Sequence, residues 1–255
     1  MDSALIFGLG LIGQLSLEAL SELSVEANGV DKIEKDHLSK TFNNLNKTYI
    51  CDATNESEVK KLMDEIFKEK HPPKILINAL GIDVKVGTNV NEFKSIEFQN
   101  SNDFNKALES GLTSYFITSK HFVLQHLKNK SSGKIINIAS DLSVIAPDHK
   151  LYNESEKIIN FKPAHYGVVK HGIVGLTKYF AATFAPNITA NSLSPSGILQ
   201  ENMSVEFIEK LSSRTPMNRV LNKNELIEPI KFLCNVNNSF LTGQNLIVDG
   251  GRSII

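Results

Sequence analysis

Tryptophan is absent from this 255-residue chain, and aromatic residues make up only 7% of it. Cysteine is scarce. Cys51 and Cys234 are too few for a disulfide framework and lack metal-ligand spacing, which points to a reducing compartment. Neither sign of charge dominates: 27 Lys+Arg against 28 Asp+Glu leave a formal net charge of −1. Such a balance gives no footprint for nucleic acid or an anionic membrane surface. No apolar run approaches the roughly 18 residues of a membrane-spanning helix. The start, MDSALIFGLG, carries Asp2 where a secretion signal would carry positive charge. A soluble, cytoplasmic protein is expected, with no metal site; His121 and His126, five apart, miss the i,i+4 pairing of a helical zinc site.

What the chain does have is alternation. Short apolar runs at 4–7, 25–30, 48–51, 74–80, 134–140, 187–194 and 245–251 are separated by helical patterns at 11–23, 55–70, 103–128, 164–184 and 223–234. Continuous apolar strands between helices indicate a parallel sheet covered on both faces. Right-handed crossovers then give a Rossmann-like, doubly wound, three-layer α/β/α sandwich with a mainly parallel seven-stranded sheet. At 41% hydrophobic, with no repeats and no composition break, residues 1–255 read as a single domain. Two stretches, 146–163 and 198–213, look like additions over the carboxyl ends of the strands, where such folds bind ligands.

The first strand runs into FGLGLIG, which sets Gly8, Gly10 and Gly13 in G-x-G-x-x-G spacing at a strand–helix turn. Glycine permits the tight turn, the close approach of a pyrophosphate and the packing of helix on strand. The following helix, opening at Leu11 and Ile12, offers free N–H groups to phosphates. Asp31 ends the second strand, where a carboxylate can accept two bonds from ribose hydroxyls and would repel a 2′-phosphate. NAD is therefore favoured, with NADP kept open by the nearby Lys32 and Lys35. Asp52, in CDATN with Cys51 and Ala53, suits either an adenine amino group or the N-cap of the next helix.

AHYGVVKHG places Tyr166 one helical turn before Lys170, which alone decides nothing. Joined to KIINIAS ending at Ser140, NSLSPSGI, and TPMNRV…FLTGQNLIVDGG, it resembles the short-chain dehydrogenase/reductase family over nearly the whole length. The resemblance implies hydride transfer between a nicotinamide and an alcohol/ketone pair, with Ser140, Tyr166 and Lys170 catalytic. A free tyrosine titrates near ~10, and a neighbouring ammonium favours its phenolate. Tyr166 would exchange the proton, Ser140 would bond the substrate oxygen, and Lys170 would also hold the nicotinamide ribose. Asn78, Ala79 and Gly81, with Pro195, Gly197 and Ile198, would complete the cofactor pocket. A homodimer or homotetramer is implied, through the helix at 164–184. The phrases DLSVIAPDHKLY and KPAHYGVVKHG are similar to the branch found in bacterial surface-sugar and flagellin-modification pathways. A sugar or nucleotide sugar is then the expected small-molecule substrate. A 3-oxoacyl-carrier-protein-reductase-like enzyme and a catalytically silent nucleotide sensor or scaffold are the alternatives.

The chain also departs from the family. Its glycine loop is one residue short, INALG replaces Asn-Asn-Ala-Gly, and PSG replaces Pro-Gly. Gly111 stands where the family usually carries an asparagine that supports a proton-relay water, with Ser110, Ser114 or backbone carbonyls as substitutes, and restoring that asparagine is expected to be tolerated or to raise activity. Ser140 and Tyr166 lie further apart than usual. The added segment, carrying Asp148, His149, Lys150, Tyr152 and Lys157, is either a clamp on a polar substrate or a solvated loop.

Overall fold

The apolar runs become β1 (Ser3–Phe7), β2 (Glu26–Asp31), β3 (Leu45–Ile50), β4 (Ile75–Asn78), β5 (Gly133–Ile138), β6 (Ile188–Pro195) and β7 (Asn245–Val248). They form one sheet in the order β3-β2-β1-β4-β5-β6-β7, with every pairing parallel. The structure is a computed structural model and describes residues 3–81, 96–153 and 160–255. Among them no helix is long and apolar enough to cross a membrane. β1, β4 and β6 are buried along their whole length, as strands covered on both faces must be.

Helices α1 (Leu11–Glu22) and α7 (Ile227–Cys234) cover one face. Their Leu15, Leu20, Ile230 and Leu233 meet Ile6, Ile77 and Ile136 of the sheet. On the other face α2 (Glu56–Ile66), α4 (Ser114–Lys128) and α5 (Ala164–Phe184) bring Met63, Phe122 and Phe180 against Leu5, Leu76 and Ile135. Cys51 and Ala53 lie in this second core, and burial raises the Cys51 thiol to about 11.

Three local expectations change. The helical pattern at 103–128 is broken: α3 (Ser101–Leu108) and α4 flank a π turn at Glu109–Thr113. The third strand starts at Leu45 and leaves Cys51 outside it. Asp52 is not the N-cap of α2. Asn55 is, accepting from the N–H groups of Ser57 and Glu58, while Asp52 Oδ1 holds the Thr54 N–H and hydroxyl.

Candidate active site

Strand order reverses between β1 and β4, so the chain turns away from that junction on both sides and opens a crevice at the carboxyl ends. Gly8 and Ala79 meet there. The Ala79 N–H bonds Phe7 O at 2.8 Å, and a Cβ on Gly8 (φ +91) would lie 2.5 Å from Ala79 O. A Cβ on Gly13 would strike Gly8 O at 2.0 Å, so this glycine lets α1 start hard against the turn. Gly10 opens α1 with no side-chain cap, no acid in the first turn and open space where a Cβ would be. Exposed helix N–H groups over a bare glycine fit a pyrophosphate.

Asp31 anchors this loop. Its Oδ2 accepts the Leu9 N–H at 2.9 Å and its Oδ1 the Ile33 N–H at 3.3 Å. Each carboxylate oxygen keeps a lone pair for a ribose hydroxyl. Lys32 and Asp52 are both exposed beside it. The bonds from Thr54, with the charge of Lys32, hold the Asp52 carboxyl below its usual range.

At three of the expected cofactor positions the side chain faces inward. The Asn78 side chain is fully buried and spent inside the fold: its amide donates to Ser119 Oγ and Asn137 Oδ1 and accepts from Thr118 Oγ1. Asn137 passes the network on to Thr177 of α5. Asn78 therefore locks β4, β5, α4 and α5 together and has no side-chain donor left for a ligand. Cys51 and Ala53 likewise point into the core, so only their backbone can reach a cofactor.

β5 ends at Ile138, and two residues on Ser140 caps the short 3₁₀ turn Asp141–Ser143 packed on α5. Ser140 Oγ donates to Asp141 Oδ1 at 2.9 Å and accepts the Leu142 N–H at 3.2 Å. Tyr166 and Lys170 lie on the first turns of α5, where Pro163 ends the extended approach. Lys170 Nζ is 5.8 Å from the centre of the Tyr166 ring and bonds Ile138 O, two residues before Ser140, at 3.3 Å. The three residues read from the sequence thus come to one end of β5. Pro195 closes β6, and Gly197 and Ile198 follow, with the Ser196 N–H tied to Val248 O at 3.0 Å and Ile198 bridged to Leu221.

Gly111 lies in the π turn, the kind of helix irregularity that gathers at functional sites. A Cβ there would come within 2.7 Å of Val169 Cγ1, so the place of the absent side chain is taken by the residue just before Lys170. This crowding counts against the expectation that asparagine would be tolerated here. Ser114 Oγ donates to Ser110 O at 2.7 Å and Ser110 Oγ to Ala107 O at 3.4 Å, so both hydroxyls bond back to the preceding turn.

The two added stretches meet. Asp148 pairs with Arg214, Lys210 Nζ donates to Asn153 O at 2.6 Å, and the rings of Tyr152 and Phe207 stack at 5.8 Å. Leu151 and Leu211 are buried between them, so α6 (Val205–Ser213) and residues 148–153 form one cap. Lys157 lies outside the described residues.

A family model described as enoyl-(acyl carrier protein) reductase matches residues 24–253. The chain belongs to the short-chain dehydrogenase/reductase family. A 3-oxoacyl-(acyl-carrier-protein) reductase of Buchnera aphidicola subsp. Baizongia pistaciae is 31% identical, over 78% of this chain and 74% of its own. Post-translational flagellin modification protein A of Campylobacter coli is 25% identical over 98% of both chains. A crystal structure of a short chain dehydrogenase from Leptospira borgpetersenii with bound NAD+ superimposes with a TM-score of 0.86 at 29% identity, covering 99% of this chain and 92% of that one. The chain is accordingly an oxidoreductase of the class that acts on CH–OH groups with NAD or NADP.

Sequence reading missed Lys162, Asp141 and Arg252. Lys162 is four residues ahead of Tyr166, but Pro163 intervenes and no helical pattern joins them. Arg252 is 111 residues from Asp141, a separation that no local pattern bridges.

Proposed function

We propose that the chain interconverts a secondary alcohol and a ketone of a polar substrate, a sugar or nucleotide sugar, with NAD favoured over NADP. The observation that supports the chemistry is the placing of Lys170, 5.8 Å from the Tyr166 ring and bonded to the Ile138 carbonyl two residues before Ser140. In this reading the Tyr166 hydroxyl takes the proton of the alcohol, or returns it to the developing alkoxide. Ser140 bonds the same oxygen as its charge changes. Lys170 stabilises the phenolate by its charge and reaches the ribose. The uncapped N–H groups of α1 hold the pyrophosphate, and Asp31 holds the adenosine ribose. The nicotinamide, when bound, supplies or accepts the hydride.

Likeness over nearly all of both chains to a flagellin-modification protein supports the sugar reading. Likeness to the Buchnera reductase supports the second one, reduction of a 3-oxoacyl group on a carrier protein. Fluorescence titration of the purified protein with NADH and NADPH decides first. Tighter NADH binding followed by turnover of a sugar or nucleotide sugar is expected. Tighter NADPH binding with turnover of acetoacetyl-carrier protein would replace it with the second reading. Failure to bind either dinucleotide would sink both.

We infer further that the protein is cytoplasmic and that a second copy covers the groove between α4 and α5. Leu112, Phe116, Leu176 and Tyr179 line that groove beside Gly172 and Gly175, and Phe116 and Tyr179 are exposed. Light scattering tests it: Tyr179→Glu is expected to lower the mass to that of a monomer, and a wild-type monomer would refute it.

A further inference from the structure

Lys162 stands in the connection that leads into α5, and only 8% of its surface is exposed. Its Nζ lies 4.0 Å from the centre of the Tyr166 ring, nearer than the 5.8 Å of Lys170. The backbone is held in place: the Lys162 N–H donates to His149 Nδ1 at 3.2 Å, and the His149 ring packs on Phe161 at 5.1 Å. Pro163 prevents α5 from extending backwards, so the lysine enters from the connection rather than along the helix. An ammonium over an aromatic face is attracted by the electron density of the ring. That attraction grows when the phenol ionises and the ring carries a full negative charge, and grows further where water is excluded.

We propose that Lys162 is a second cation of the Tyr166 site, a positioning residue that holds the ring and, with Lys170, stabilises its phenolate. The proposal deepens the reading of Tyr166 as the proton-exchanging residue and rests on it. Among the described residues, several titratable groups lie on α5 or on elements packed against it. Lys170 and His165 share the helix of Tyr166, and Lys162 precedes it. Tyr115 comes from α4. Asp103 and Lys106 of α3, Glu109 of the π turn and Asp141 of the 3₁₀ turn lie on elements packed against α5, and β6 brings no charged side chain. Asp141 is taken up by Arg252. Among the described residues, Lys162 and Lys170 are cations set against the ring itself.

The test needs no substrate. With no tryptophan and five tyrosines in the chain, phenolate formation can be followed by ultraviolet absorbance. The difference between wild type and Tyr166→Phe isolates Tyr166. Tyr49 and Tyr115 do not interfere, since burial pushes both well above the ordinary phenol value. Lys162→Gln is expected to raise the Tyr166 midpoint by about one unit or more. Lys162→Arg, which keeps the charge, should leave it in place. Lys162→Met keeps the apolar stem and serves if the glutamine variant does not fold. A midpoint that is low in wild type but insensitive to Lys162→Gln and Lys162→Met overturns the role of Lys162 and spares that of Tyr166. A midpoint at the free-tyrosine value in every variant overturns both.

Discussion

Arg252 Nη1 donates to Asp141 Oδ2 at 2.6 Å, with the two side chains only 9% and 3% exposed. The bond ties the last residues of the chain to the neighbour of Ser140. Asp249 makes it possible by accepting the N–H groups of Gly251 and Ser253, while Gly250 and Gly251, at φ +63 and +88, reverse the chain. Removing one partner of a buried pair leaves an uncompensated charge and costs about 3–5 kcal/mol. Arg252→Met is therefore expected to lower the melting temperature strongly, and Asp141→Asn/Arg252→Met to recover much of the loss. Equal melting temperatures for Arg252→Met and wild type would mean that the pair contributes no stability.

Tyr166→Phe keeps the ring and its place in α5 while removing the proton-exchanging hydroxyl. Turnover should fall by at least ~10², with dinucleotide affinity within a few-fold of wild type by fluorescence titration. A matching loss of binding would show that Tyr166 serves the cofactor pocket rather than the chemistry.

Gly111→Asn puts a Cβ 2.7 Å from Val169 Cγ1, and a β-branched side chain in a helix has little freedom to turn aside. Overpacking of this kind costs about 1–3 kcal/mol. Thermal melting should show the loss, and adding Val169→Ala should restore most of it. A Gly111→Asn protein as stable as wild type would place the π turn further from α5 than described.

Asp31→Asn keeps the shape and one acceptor for the glycine loop but removes the negative charge. The preference for NADH over NADPH is expected to shrink about tenfold, or roughly 1.4 kcal/mol. Asp31→Ala should weaken both dinucleotides as well, since it also frees the Leu9 and Ile33 N–H groups. Titration of the Asn variant with an unchanged ratio would remove Asp31 from cofactor selection.

His126 carries a pH dependence of stability. Its Nε2 faces Pro73 O at 3.1 Å, which can only accept, so Nε2 bears the hydrogen and Nδ1 receives the Ser131 hydroxyl at 2.8 Å. Burial between Phe67 and Phe122 lowers its pKa to about 4, against an ordinary 6.5. The unfolded chain then binds the proton first. The stabilisation is complete above about 6.5 and is lost as pH falls from there through about 4, reaching roughly 3 kcal/mol. Melting curves at pH 7, 5.5 and 4 should fall accordingly, and His126→Gln should flatten that part of the fall. A slope unchanged by the substitution would assign it to other groups.

The strands were legible because a sheet covered on both faces demands unbroken apolar runs. KILINAL and KIINIAS have them, and no loop rich in charge can imitate them. The glycine turn, Asp31, Ser140 and the Tyr166–Lys170 turn were legible for a related reason: each occupies the residues that end a strand or open a helix. The strand of Asn78 is legible in the sequence but the inward bonding of its side chain is not, since an amide at a strand end can face ligand or core. Asp52 was similarly undecided between two roles, and Asn55 three residues on proved the better-placed cap.

By itself, then, the sequence determined the order of the elements, the parallel sheet and the line of polar residues along its carboxyl edge, because these follow from periodicities within single segments. Only the tertiary structure decided that Lys162 lies across Tyr166, that Val169 fills the space at Gly111, that residues 148–153 and α6 make one cap, and that Arg252 reaches Asp141. These contacts join segments whose separation carries no period. They exist because the packing of helices on a twisted sheet brings their side chains to the same place, and that packing is a property of the whole chain.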